Sequence, residues 1–322
     1  MKNSEYVIAV YEGERVMSKK KSRRVRRKRK RTGVRLLFLA LVLAGGIRCI
    51  SWLSENSPGH LGSLTWQEVR EQAGYVDEDD ADLVKPQSRS EDEVQKTIKK
   101  LAKKDKSYQQ IYENYNAYPQ GMLMSLCNNP EMIDYVKDYP DAAREASGGF
   151  TRAEKKVDLP LLIQWDKRWG YAPYGSSNVG MSGCAPTCMS MVVLALTGNE
   201  KATPDKIAEY AADHGYYEEN TGTSWSFFSE GAEHYKIHGQ EISLDENVIF
   251  SHLKKGEPII CSMRPGDFTS GGHFIVLAGV SDGKIMVHDP NSRERSKVFW
   301  NYETLEPQIK NLWAFSSTAF RK

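Results

Sequence analysis

Residues 181–197 read MSGCAPTCMSMVVLALT, and Gly198 follows. From Cys184 onward the run is apolar and uncharged, and it ends at a glycine suited to a left-handed cap, so it reads as a buried helix. Its first residue is a thiol. First-turn amides of a helix lack intrahelical acceptors, and together with the macrodipole they stabilise negative charge there. A cysteine so placed is suited to nucleophilic work. Pro186 is tolerated in that first turn for the same reason. Cys188, one turn along, and Cys261 lie inside apolar segments and read as structural core thiols, as does Cys127.

Outward from this helix the texture is mixed. Thr203-Pro204 opens a second helix running to about Asp213, and residues 224–235 suggest a third. Ser243 with Glu246 caps a fourth that ends at Gly256. Strand signals then follow at 258–263, 273–280, 284–289, 296–300 and 311–316. Helices first and antiparallel strands afterwards make an α+β domain.

A thiol nucleophile needs a proton carrier. Of the seven histidines, His273 stands apart, because it follows Gly271-Gly272 and opens the strand FIVLAGV. A histidine at a strand end is held by the sheet. His288, inside a strand beside Asp289, is its rival. Asp289 ends that strand before Pro290. It either orients the imidazole or forms an Asx-turn with Pro290 and Asn291. Gln164, in LLIQWDKRWGY, has a side-chain amide able to stabilise an oxyanion. The turn Ser281-Asp282-Gly283-Lys284 sets a further condition. A two-residue loop with unbroken pairing puts Asp289 on the face opposite to His273. A three-residue loop, or a bulge giving the same one-residue shift, brings the two onto one face.

The order Gln164, Cys184, His273, Asp289, carried by QWDKRWG, SGCAPTCMSMV, GGHFIVLAGV and VHDP, resembles the papain-like cysteine peptidases. The nearest branch is the bacteriocin-processing, C39-like one, and the likeness covers about residues 157–316. It implies a papain-like fold with a helical half and an antiparallel sheet half. By position it makes Cys184 the nucleophile, His273 the general base and acid, and Asp289 its orienting partner. Gln164 becomes an oxyanion donor together with a backbone amide near Cys184. Gly183 and Gly272, beside the two reacting residues, become candidate substrate-binding positions. Ala185 stands where family members usually have glycine. The implied activity is hydrolysis of peptide or isopeptide bonds without a cofactor. The alternatives are a cell-wall amidase or transpeptidase, and a non-catalytic peptide- or wall-binding module.

Charge organises the rest of the chain. The first 35 residues hold fourteen Lys or Arg against three Glu, a net of +11, whereas the whole chain is +2. The uncharged LLFLALVLAGGI follows at 36–47. A basic stretch ahead of an apolar one is a topology signal with the positive end in the cytoplasm. The reading is a basic cytoplasmic tail over 1–33 and a single-pass transmembrane signal anchor over 34–53. Arg35 and Arg48 then lie near the ends of the span, where they can snorkel. A cleaved signal peptide, with Ala44-Gly45-Gly46 as its site, is the competing reading. After the anchor come an acidic flexible linker over 54–90, a small helical region over 91–150 and the peptidase-like domain over 151–322. In the helical region, Ser90 with Glu93 and Ser107 with Gln110 are cap signals, and Asn129-Pro130 starts a further helix. Its short amphipathic helices are expected to pack on the peptidase domain and limit access to the cleft. The expected partners are a peptide or protein substrate and anionic lipid at the basic tail, not nucleic acid. The anchor reading puts the catalytic domain on the extracytoplasmic side of the cell membrane, and the family resemblance implies a bacterial protein. No metal-ligand spacing is legible, and oligomeric state is not encoded in any motif.

Overall fold

The computed structural model describes residues 74–219 and 221–318. Among them no helix is long and apolar enough to cross a membrane, and the anchor expected over 34–53 lies outside them. The first described element, β1 (Val76–Asp77), is already part of the main sheet. Four helices follow: α1 (Glu91–Ala102), α2 (Lys106–Glu113), α3 (Gln120–Asn128) and α4 (Ile133–Asp138). The expected capping box is present at Ser90 and Glu93. Asn129 caps a short turn with Pro130 at its first position.

Two other caps fall near, not on, the expected residues. Asp105 caps α2 in place of Ser107, and Asp245 caps α7 (Glu246–Lys254) in place of Ser243. In both cases a carboxylate lies closer to the helix start, where its charge adds to the hydrogen bond. Between these regions a small hairpin, β2 (Pro173–Tyr174) and β3 (Ser177–Asn178), leads into α5 (Cys184–Thr197), which Gly198 closes at φ 66°. Next come α6 (Pro204–Asp213) and a second small hairpin, β4 (Tyr217–Glu218) and β5 (Gly222–Thr223). The helix expected over 224–235 is broken into two single turns, Trp225–Phe228 and Glu230–Glu233. Consecutive Phe227 and Phe228 are both fully buried, which one face of a regular surface helix does not allow.

The remaining strands are β6 (Ile237–Glu241), β7 (Ile259–Met263), β8 (His273–Ser281), β9 (Lys284–His288), β10 (Val298–Trp300) and β11 (Ile309–Ser317). The sheet runs β1-β10-β9-β8-β7-β11-β6, antiparallel throughout except for β1 on β10. Strand β8 is central, with α5 and α7 both packed on it. The sheet's side chains alternate accordingly. Val276, Ala278, Met286 and Ile260 join α5 in one core. Ile275, Leu277, Val287 and Cys261 join α7 in the other. Mixed helices and a mainly antiparallel sheet make this an α+β domain.

The helical region has its own core, built around Ile98, Ile111, Leu126 and Tyr135 and closed by Ile163, Trp165 and Tyr171 of the following domain. Cys127 lies in it as a small core residue, and burial pushes its thiol up to about 11. The segment read as flexible linker is tied down from residue 74 on. Tyr75 is buried, and Val76 pairs with Val298. Glu78 accepts from the Asn301 amide at 2.9 Å, and Gln87 bonds Asn128. Its acidic cluster is therefore partly a set of partners for the sheet edge.

Candidate active site

Cys184 opens α5 through a tight entry. Asn178 caps the single turn Val179–Ser182, its Oδ1 accepting from the Met181 amide at 3.0 Å. Gly183 then bends the chain into α5. A Cβ at Gly183 would stand 2.4 Å from the Val179 carbonyl oxygen, so only glycine permits this approach. As the first helical residue, Cys184 has an amide without an intrahelical acceptor. Its side chain is half-buried at a cleft of about 1010 Å³. Cys188 and Cys261 are fully buried, and burial raises both thiols well above the ordinary range. Among the described residues the cysteines are unpaired.

His273 is the first residue of β8, braced opposite Met263 of β7. Its Nε2 lies 2.7 Å from Asp289 Oδ1, and the Cys184 thiol is near enough to the ring to act on it electrostatically. With Nε2 on the carboxylate, Nδ1 is the nitrogen left for the thiol. Burial works against a charged ring here. The carboxylate's charge and hydrogen bond, with a further contribution from Cys184, outweigh it and raise His273 to about 9.

Asp289 is fully buried. Burial alone would raise it. Instead the charges and hydrogen bonds of His273, the Arg295 guanidinium and the Asn291 amide hold it below the usual carboxylate range. Arg295 Nη1 stands 3.0 Å from Oδ2, and the Asn291 amide donates to Oδ1 at 2.8 Å. Arg295 was not read from the sequence. Its only signal is a position six residues after Asp289, in the same loop.

The register explains how the two strands meet. The turn is the two-residue kind, with Ser281 paired to Lys284 and both Asp282 (φ 50°) and Gly283 (φ 77°) left-handed. Unbroken, that pairing would turn Asp289 away. A bulge intervenes: Leu277 pairs with Val287 and Gly279 with Met286, leaving Ala278 as the extra residue. Val276 therefore faces His288, and Asp289 falls opposite Ile275, diagonal to His273. The bulge supplies the required shift.

His288 lies on the other face. It is buried, and its Nδ1 is without a protein partner. Burial lowers it to about 4, so it is neutral.

Gln164 is buried beneath the cleft and is absent from its lining. Its Nε2 donates to the Gly180 carbonyl at 2.9 Å, and its backbone amide donates to Pro290. One amide hydrogen of Nε2 is left over, and Oε1 lacks a protein partner. Gly272 lines the cleft, whereas Gly183, expected there too, is buried and absent from the lining, packed close to Val179. The helical region does not line the cleft either, so the expected gating has no basis in contact. The walls come from residues 176–310. One wall carries Tyr217, Glu218 and the 40 % exposed Trp225, which stacks edge-on against Trp313. The other carries Arg264, Pro265 and Gly271. Among the described residues no cluster of His, Cys, Asp or Glu could hold a metal ion.

A family model described as the Peptidase_C39 like family matches residues 156–319, just over half of the chain. No curated protein matches the chain.

Proposed function

We propose that this chain, which belongs to the Peptidase_C39-like family, is a thiol peptidase whose working residues are Cys184, His273, Asp289 and Gln164. The observation that carries the reading is the buried His273–Asp289 pair at 2.7 Å, with His273 and the Cys184 thiol lining the same cleft. His273, charged at neutral pH, holds the proton given up by the thiol, and Cys184 Sγ attacks as the thiolate on the carbonyl carbon of a peptide or isopeptide bond. The oxyanion that forms is met by the Cys184 backbone amide and by the amide hydrogen of Gln164 not used by Gly180. The imidazolium then gives its proton to the departing amine as the C–N bond breaks. A water molecule, deprotonated by the same ring, releases the acyl group from sulfur. Asp289 fixes the ring's tautomer and offsets its charge, and Arg295 keeps Asp289 ionised.

The basic tail over 1–33 and the apolar segment over 34–53 support a single-pass anchor with the catalytic domain outside the bacterial cytoplasm and the tail on anionic lipid. Exposing the full-length protein and its Cys184→Ala variant to a diverse peptide library tests the reading. Cleavage by the wild type alone is expected. Cleavage by neither would favour a binding module that keeps the fold, and cleavage by both would remove Cys184 from the chemistry.

A further inference from the structure

The loop from Asp289 to Arg295 carries the acid that orients His273, yet it has little regular structure of its own. Beyond β9 its backbone makes one isolated bridge, Asp289 with Ser292, before a short turn at Arg295–Lys297. Gln164 and Trp165 hold it on one side, donating to the Pro290 and Asn291 carbonyls, and the helical region, which lies outside the residues matched by the family model, holds it on another. Glu131 is the centre of that contact. Its carboxylate accepts from Ser292 Oγ at 2.6 Å, from the Arg293 amide at 2.9 Å and from the Glu294 amide at 3.4 Å. Three donors from consecutive residues thus converge on one carboxylate, and such charge-assisted bonds are stronger than neutral ones. Asn129, itself buried, donates from Nδ2 to the Asn291 carbonyl while its Oδ1 accepts from the Glu131 amide. One residue therefore both caps the turn that presents Glu131 and grips the loop.

The path inward is continuous. Ser292 Oγ, held by Glu131, accepts from the Arg295 amide at 3.1 Å, and Arg295 pairs with Asp289. Ser296 Oγ donates to the Ser292 carbonyl and accepts from the Asp289 amide. A second anchor from the same region reaches the nucleophile's side, where Tyr135 donates to the Asn178 Oδ1 that caps the turn before Cys184.

We propose that Glu131, seated by Asn129, is a positioning residue for the catalytic acid, so that the helical region completes the site. It does so by clamping the Asp289 loop from behind and does not cover the cleft. This inference rests on the peptidase reading. Without the clamp the loop keeps its sequence but loses its fixed distance to His273, and misplacement of about 1 Å can cost up to about a hundredfold in rate.

The test uses full-length protein and iodoacetamide as the probe, with Cys184 alkylation followed by mass spectrometry at pH 6 and pH 10. At pH 6 reactivity depends on a charged His273 beside the thiol. The charged groups that act on that ring are Asp289, backed by Arg295, and Cys184 itself. At pH 10 the thiolate forms without help, so that rate controls for folding and access. Asp289→Asn sets the benchmark. Glu131→Ala is expected to lower the pH 6 rate about tenfold or more, in the direction of Asp289→Asn, with the pH 10 rate unchanged. Glu131→Gln, which keeps an acceptor but no charge, falls between. If Glu131→Ala keeps the wild-type ratio of the two rates while Asp289→Asn loses it, the clamp is overturned and the triad stands. If both keep it, the triad reading falls and the clamp with it. Should Glu131→Ala fail to fold, Ser292→Ala removes one of the three donors, leaves the helical region whole and carries the same comparison.

Discussion

His273 and His288 sit on neighbouring strands of one sheet, and both are nearly inaccessible to solvent. They end up as opposites. His273 meets a carboxylate and a thiol and is raised to about 9. His288 meets apolar core, and burial lowers it to about 4. The difference is one of face. A single extra residue, Ala278, shifts the register between Leu277 and Gly279. It thereby puts Asp289 on the side of His273 and His288 against α5. Burial is common to both rings, so burial alone makes neither catalytic. The partner that the register delivers decides.

The largest effect expected is on the nucleophile that this contrast serves. Cys184→Ala should abolish hydrolysis, and its thermal unfolding should match the wild type within a few degrees, since a half-buried side chain loses one sulfur. Next comes the contrast itself. His273→Ala should lower kcat/KM by about 10²–10⁴-fold, the range for losing a general acid and base. His288→Ala should leave the chemistry in place and cost roughly 0.5–3 kcal/mol in stability, read by urea unfolding, because a buried ring leaves a cavity. Equal kinetic losses in the two variants would erase the distinction between the faces.

A third test acts on the bulge. Deleting Ala278 removes the bulge yet leaves Leu277 opposite Val287 and Ile275 opposite Asp289, so His273 and Asp289 stay on one face and kcat should be retained; a loss as large as that of His273→Ala would contradict the register account. The smallest measurable change is in stability against pH. His288 has a folded value below its unfolded one of about 6.5, so it stabilises above pH 6.5. That contribution, about 3 kcal/mol, fades as pH falls from 6.5 to 4. His273 has the opposite sign. Its contribution is complete below pH 6.5 and is lost as pH rises through about 9. Acid unfolding should therefore be blunted in His288→Asn and not in His273→Asn.

Much of this was legible along the chain because it is local. A cysteine followed by an uncharged apolar run identifies a helix start, and glycines ahead of His273 identify a strand start. The parity argument at Ser281–Lys284 required either a longer turn or a bulge, and Ala278 provides the bulge. What escaped is non-local. Strand β6 has Gly239 at its centre, where a Cβ would stand 1.8 Å from the Phe228 carbonyl oxygen, and no β-branched pattern marks it beyond Ile237. Strand β1 is two residues long and exists through its pairing with β10. Arg295 and Glu131 are charged residues in ordinary polar stretches, and only the fold shows that both serve the Asp289 loop. Gly183 was read as a substrate contact because of its neighbour, whereas it is needed for the approach to Val179.

The central claim is that His273 makes Cys184 reactive. Exposure alone would make Cys184 react faster than the buried Cys127, Cys188 and Cys261, so selectivity among cysteines is not sufficient. The direct measurement is the rate of Cys184 alkylation by iodoacetamide at pH 6.5 in full-length wild type and in His273→Ala. The account predicts rapid modification of Cys184 in the wild type and at least a tenfold slower reaction in the variant, with the buried Cys127, Cys188 and Cys261 silent in both. An unchanged rate in His273→Ala would contradict it.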